Sequence, residues 1–145
     1  MIHEGLTDRE TIFVVDDTDA VRDLVVHILE SAKFKVLKAS SGEDAMRVAS
    51  AYPGKIDLLL SDIQMPGMSG PDLGVALKLL RPDLRVMLMS SFSGGALLVL
   101  NYGWAFIEKP FVAAKLVEMV EAVLSEPDKS QGSTQYDTRD DLGLK

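Results

Sequence analysis

No cysteine occurs among the 145 residues, which excludes disulfide scaffolds, thiolate zinc sites and cysteine nucleophiles. Histidine is nearly as scarce. His3 and His27 lie far apart in the chain and argue against a histidine-rich metal centre. Basic residues are outnumbered, 15 against 22 acidic, and the formal net charge is -7. Non-specific nucleic-acid binding depends on Lys and Arg neutralising phosphates, so this balance argues against it. Long hydrophobic runs are missing too: stretches such as ALLVL at 96–100 are far too short to span a bilayer. The opening MIHEGLTDRE carries acidic residues and lacks the apolar segment of a secretory signal. A cytoplasmic protein with no direct nucleic-acid partner and no membrane partner is the expectation. There is also no GxxxxGK[ST] phosphate cradle, which leaves nucleotide hydrolysis poorly supported.

What is present is enough for a core. Hydrophobic residues make up 47% and charged residues 26%, a balance that suits one globular domain with a tail. Thr11 to Val15 (TIFVV) reads as a buried strand ending at Asp16 and Asp17. Val21, Leu24, Val25, Ile28, Leu29 and Ala32 then recur at helical spacing, with Arg22, Asp23, Glu30 and Lys33 turned outward. Thr18 or Asp19 is the candidate cap of that helix. Phe34 to Ala39 predicts a second strand, whose Lys35 and Lys38 suit an edge position. Ser41 and Asp44 open a helix in capping-box fashion.

Ile56 to Ser61 predicts the third strand, and the loop 63–69 follows Asp62 at once. Pro71 suits the first turn of the next helix, whose inward stripe is Leu73, Ala76, Leu77 and Leu80. Val86 to Met89 predicts a fourth strand ending at Ser90 and Ser91, and Ala96 to Leu100 a short helix. Ala105 to Ile107 predicts a fifth strand and Val112 to Leu124 a last helix. From Glu126 the composition turns polar and rich in Pro, Gly and Ser, as in a disordered tail or linker stub. Fivefold strand–helix alternation argues for an α/β fold with a parallel sheet and helices on both faces.

In such a sheet, ligands bind beyond the carboxyl ends of the strands. Those ends carry Asp16 and Asp17, Asp62, Ser90 and Lys109. Two carboxylates ~5 Å apart repel by roughly 3 kcal/mol at an effective dielectric of ~20. Such a cluster therefore calls for a hard divalent cation, and Mg²⁺ suits carboxylates, waters and a phosphoryl oxygen. A carboxylate nucleophile beside a metal, a lysine and a hydroxyl matches phosphoryl transfer onto aspartate.

With FVVDD at 13–17, LLLSDIQMPGMSG at 58–70, VMLMSS at 86–91 and FIEKPF at 106–111, the chain resembles the response-regulator receiver domains of bacterial two-component phosphorelay signalling. The resemblance covers about residues 10–125, leaving 1–9 as an N-terminal extension and 126–145 as the tail. It implies a flavodoxin-like sheet of order 2-1-3-4-5, Asp62 as phosphoacceptor, and Mg²⁺ held by Asp16, Asp17, Asp62 and the Gln64 backbone carbonyl. It further implies Ser90 and Phe106 as switch residues, Lys109 as a phosphoryl contact and a cis Lys109–Pro110 bond. Gln64 and Phe92 stand where family side chains tune the phosphoryl lifetime. A bulky apolar Phe92 would hinder an attacking water, so slow self-hydrolysis is expected.

The implied donor is a histidine kinase or a histidine phosphotransfer protein, with a downstream protein target that the sequence does not specify. The family chemistry also leaves room for a homodimer. This makes the chain a signalling switch rather than a turnover enzyme. The start at Met1 favours a free-standing gene, and a receiver module from a hybrid sensor kinase or multidomain regulator is the alternative. A Mg²⁺-dependent aspartyl phosphatase is a weaker reading. That chemistry wants an acid/base aspartate two residues after the nucleophile, where this chain has Gln64.

Overall fold

The computed structural model describes residues 9–91 and 102–127. The expected alternation is seen as β1 (Thr11–Val15), α1 (Asp19–Ser31), β2 (Lys35–Ala39), α2 (Gly42–Ala51), β3 (Leu58–Asp62), α3 (Gly70–Leu80), β4 (Arg85–Ser90), β5 (Ala105–Glu108) and α4 (Ala113–Ser125). The short helix expected at 96–100 lies outside the described residues, as do Phe92 and the chain beyond Pro127. All strand pairs are parallel and the order is β2-β1-β3-β4-β5, the order that the resemblance implies.

Why the central strands read as unbroken apolar runs is plain from their surroundings. Ile12, Val14, Leu58, Leu60, Met87 and Met89 face α1 and α4, together with Val25, Leu29, Leu116 and Val120. Phe13, Val15, Leu59 and Leu88 face the other way, onto Ala45, Ala49, Leu73 and Leu77 of α2 and α3. Both faces are covered, so no polar alternation is needed. At the sheet's edge, β2 exposes Lys35 and Lys38 as its sequence suggested.

Capping chemistry sets where the helices begin. The Ser41 hydroxyl accepts the Asp44 N–H at 3.0 Å, and Ser69 does the same for Asp72 at 3.2 Å, with Pro71 in the first turn of α3. The start of α1 differs from expectation. Thr18 occupies the capping position but its side chain makes no capping bond. Its own N–H instead donates to Asp16 Oδ1 at 2.9 Å. Strand β3 also starts two residues later than predicted, because Asp57 closes the entry to the sheet: its N–H donates to the Thr11 carbonyl and its carboxylate accepts the Thr11 N–H. Leu24 and Leu80, read as inward-facing, are 55% and 52% exposed. The buried stripes are narrower than the apolar periodicity alone implies.

Candidate functional site

The site lies at the carboxyl ends of β1, β3, β4 and β5. Asp62 is the last residue of β3, paired with Met89 of β4. Immediately beyond it, the Ile63 N–H continues the ladder by donating to the Met89 carbonyl at 3.0 Å. Helix α3 begins directly against this turn. A Cβ on Gly70 would sit 2.2 Å from the Asp62 carbonyl oxygen, so only glycine fits there. In the sequence Gly70 is one of two glycines in the loop MPGMSGP, and nothing there marks this contact.

Asp16 follows β1 and is wholly buried, whereas Asp17 is exposed. Carboxylate oxygens of Asp16, Asp17 and Asp62 lie within 4.8 Å of one another. Lys109 reaches over from the end of β5, its Nζ 3.2 Å from Asp16 Oδ2 and 3.3 Å from Asp62 Oδ1. One ammonium therefore serves two carboxylates in a largely desolvated setting. Burial pushes the Asp62 carboxyl above its ordinary range; Lys109 pulls the other way, and the Asp16 and Asp17 charges reinforce the rise. The imbalance suits a further cation. The donors are hard oxygens and Asp17 leaves the cluster open to solvent, so the residues present fit an ion such as Mg²⁺.

Ser90 ends β4, is 2% exposed, and its carbonyl accepts the Lys109 N–H at 2.9 Å. The Lys109–Pro110 bond is cis. Phe106, paired with Leu88, is half-buried and packs on the α2–α3 face of the sheet. Two residues earlier, Trp104 rests over Gly74 of α3, where an added Cβ would meet the indole at 2.8 Å, and stacks on Tyr102 with ring centroids 4.5 Å apart. Gln64 is exposed and lines an open groove of about 640 Å³ with Pro66, Pro71, Asp72 and Tyr102. Phe92, the other expected lifetime-tuning residue, lies outside the described residues.

Sequence reasoning brought Asp16, Asp17, Asp62, Ser90 and Lys109 to one rim, and the structure places them together. It missed Arg22, read as pointing outward. The guanidinium folds back, its Nη1 donating to the Asp16 carbonyl at 2.7 Å and its Nη2 to Asp19 Oδ1 at 2.7 Å.

Residues 12–121 match the family described as the response regulator receiver domain. The chain belongs to this family. Its sequence is 32% identical over 126 residues to the sensor kinase CckA of Brucella abortus, an alignment covering 85% of this chain and 13% of that kinase. The crystal structure of a receiver domain from the hybrid histidine kinase CckA superposes with a TM-score of 0.69 at 34% identity, covering 79% of this chain and 99% of that one. A response regulator from Thermotoga maritima, TrrA, solved in complex with Mg²⁺ and BeF, gives 0.70 at 26% identity, with 79% and 99% covered. Among the described residues of this receiver domain, no helix is long and apolar enough to cross a membrane.

Proposed function

We propose that this receiver domain takes a phosphoryl group on Asp62 from a phosphohistidine and changes its protein-binding surface in response. The observation that carries the reading is Lys109 bridging Asp16 and Asp62 inside the carboxylate cluster of a receiver fold. An Asp62 carboxylate oxygen attacks phosphorus, the P–N bond to the imidazole breaks, and the histidine nitrogen departs with the bonding pair. Asp16, Asp17, Asp62 and the Gln64 carbonyl would hold Mg²⁺, which would neutralise charge on the phosphoryl oxygens. Lys109, hydrogen-bonded to Asp62, would follow one of those oxygens, and the Ser90 hydroxyl would donate to another. Phe106 is the packing partner of that rearrangement. With Gln64 two residues after Asp62, the site lacks the acid/base carboxylate of a phosphatase, which supports a switch over a turnover enzyme.

A second reading, a module working within a larger sensor kinase or regulator, draws on the resemblance to CckA, of which this chain spans 13%. In either setting the donor is a histidine kinase or a histidine phosphotransfer protein. Incubation with acetyl phosphate and Mg²⁺, followed by intact mass, tests the assignment. The mass of one phosphoryl group is expected on the native chain and not on Asp62→Asn. A gain that survives the substitution refutes it.

A further inference from the structure

The three oxygens of Asp16 are all engaged. Oδ1 accepts the Thr18 N–H at 2.9 Å, Oδ2 the Lys109 ammonium at 3.2 Å, and the main-chain carbonyl the Arg22 guanidinium at 2.7 Å. That carbonyl belongs to the peptide joining Asp16 to Asp17. Asp17 accepts no hydrogen bond from any described residue, so the backbone that carries it is what restricts where its carboxylate can reach. The Asp16–Asp17 peptide is thus the unit that aims Asp17 into the cluster, and Arg22 is the side chain that fixes its plane. Arg22 can do this because its own N–H is bonded to the Thr18 carbonyl in the first turn of α1, at 2.9 Å, and its second nitrogen is tied to Asp19. Asp19 is at the surface, but only 14% of the Arg22 side chain is exposed and its contact with the Asp16 carbonyl is part-buried.

From this geometry we infer that Arg22 is a positioning residue for the cation site: it holds the Asp16–Asp17 peptide so that the Asp17 carboxylate points at Asp62. The inference rests on the acidic cluster being the Mg²⁺ site. Groups that orient metal ligands typically contribute tenfold or more to affinity. A lysine substituted here would keep the charge but not the planar fork that spans two acceptors.

The sign of the effect separates positioning from its alternatives. If Arg22 acted only through its charge, removing it would tighten Mg²⁺ binding, because a positive neighbour is lost. If it served only the fold, the unfolding midpoint would drop while the Mg²⁺ affinity of the folded protein stayed the same. Positioning predicts weaker binding. The test is a calorimetric Mg²⁺ titration at constant ionic strength on the full chain, as wild type, Arg22→Met, Arg22→Lys and Asp17→Asn, with urea midpoints measured alongside. Arg22→Met is expected to raise the Mg²⁺ Kd about tenfold, and an unchanged or lower Kd overturns the inference. Should Arg22→Met lack a cooperative unfolding transition, Arg22→Lys decides, with a several-fold rise expected and an unchanged Kd again overturning it. Wild type without Mg²⁺ binding, or Asp17→Asn binding as well as wild type, refutes the cation-site reading itself and the inference falls with it. A normal Asp17 effect with no Arg22 effect refutes the inference alone.

Discussion

Replacing Lys109 by methionine tests the electrostatic account of the site most directly. Its ammonium lies 3.2 Å from Asp16 and 3.3 Å from Asp62, and the three side chains are 18%, 0% and 12% exposed. Each contact corresponds to roughly 5 kcal/mol of attraction at an effective dielectric of ~20. The several kcal/mol it costs to bury an ammonium offsets much of the sum. Removing the lysine nevertheless leaves two buried carboxylates facing each other, and breaking a buried pair from one side costs about 3–5 kcal/mol. Asp62, whose carboxyl is already pushed up by burial, can relieve part of this by taking up a proton, so the lower end, about 3 kcal/mol, is the expected loss at neutral pH.

Two signatures follow in urea denaturation. The deficit of Lys109→Met should shrink as pH falls, since protonating Asp62 removes the repulsion. Mg²⁺ should also restore more stability to the variant than it adds to wild type, because it supplies the missing positive charge. A variant as stable as wild type at neutral pH without Mg²⁺ would refute the account, and so would a deficit that is independent of both pH and Mg²⁺.

Asp62 itself carries a signed pH dependence. Its folded-state pKa is raised above 3.8, so the native state binds more protons and stability falls as pH rises from about that value through the raised pKa. Asp62→Asn should remove this slope and make the Mg²⁺-free domain more stable at neutral pH; a destabilised variant under those conditions contradicts the burial argument. Gly70→Ala should destabilise by about 2 kcal/mol or more, because a methyl group 2.2 Å from the Asp62 carbonyl forces the backbone to move. The same shift displaces Asp62, so acetyl-phosphate labelling should drop even in the folded fraction. Normal labelling with a normal urea midpoint would show that α3 yields freely there.

Much of the site was legible because buried strands announce their ends. TIFVV and LLLS run buried and without a charged residue until Asp16 and Asp62, and a charged residue at the end of such a run has nowhere to go but the rim. Ser90 was readable as the polar end of the buried run VMLM, and Lys109 from its place just past the short strand AFIE. Arg22 was not, because periodicity assigns a face to the Cα and says nothing about a side chain long enough to fold back onto the preceding turn. Gly70 and Gly74 escaped too. What they accommodate, the Asp62 carbonyl and the Trp104 ring, comes from other elements, and a contact of that kind has no local sequence signature. The start of β3 was misplaced because Ile56 is buried like a strand residue while Asp57 bonds to Thr11 just ahead of the strand.

The elements that hold the reacting groups are not equally fixed, and this bears on how a charge added at Asp62 would be felt. β1 and β3 are central strands, wholly buried and paired on both sides, so Asp16 and Asp62 are anchored. Lys109 comes instead from β5, which pairs on one side only and has a half-buried Phe106 and an exposed Glu108. A phosphoryl group on Asp62 adds negative charge and oxygens where Lys109 now bridges two carboxylates, so those two contacts must be redrawn. The anchored strands have little freedom to respond, whereas the edge strand has fewer bonds to break. Lys109 is joined to Ser90 through its own N–H and stands three residues from Phe106. A movement that let the ammonium follow the phosphoryl oxygens would therefore reach the end of β4 and Phe106 on the α2–α3 face. On the proposed reading, a phosphoryl group added at the anchored centre of the sheet would be felt at its edge.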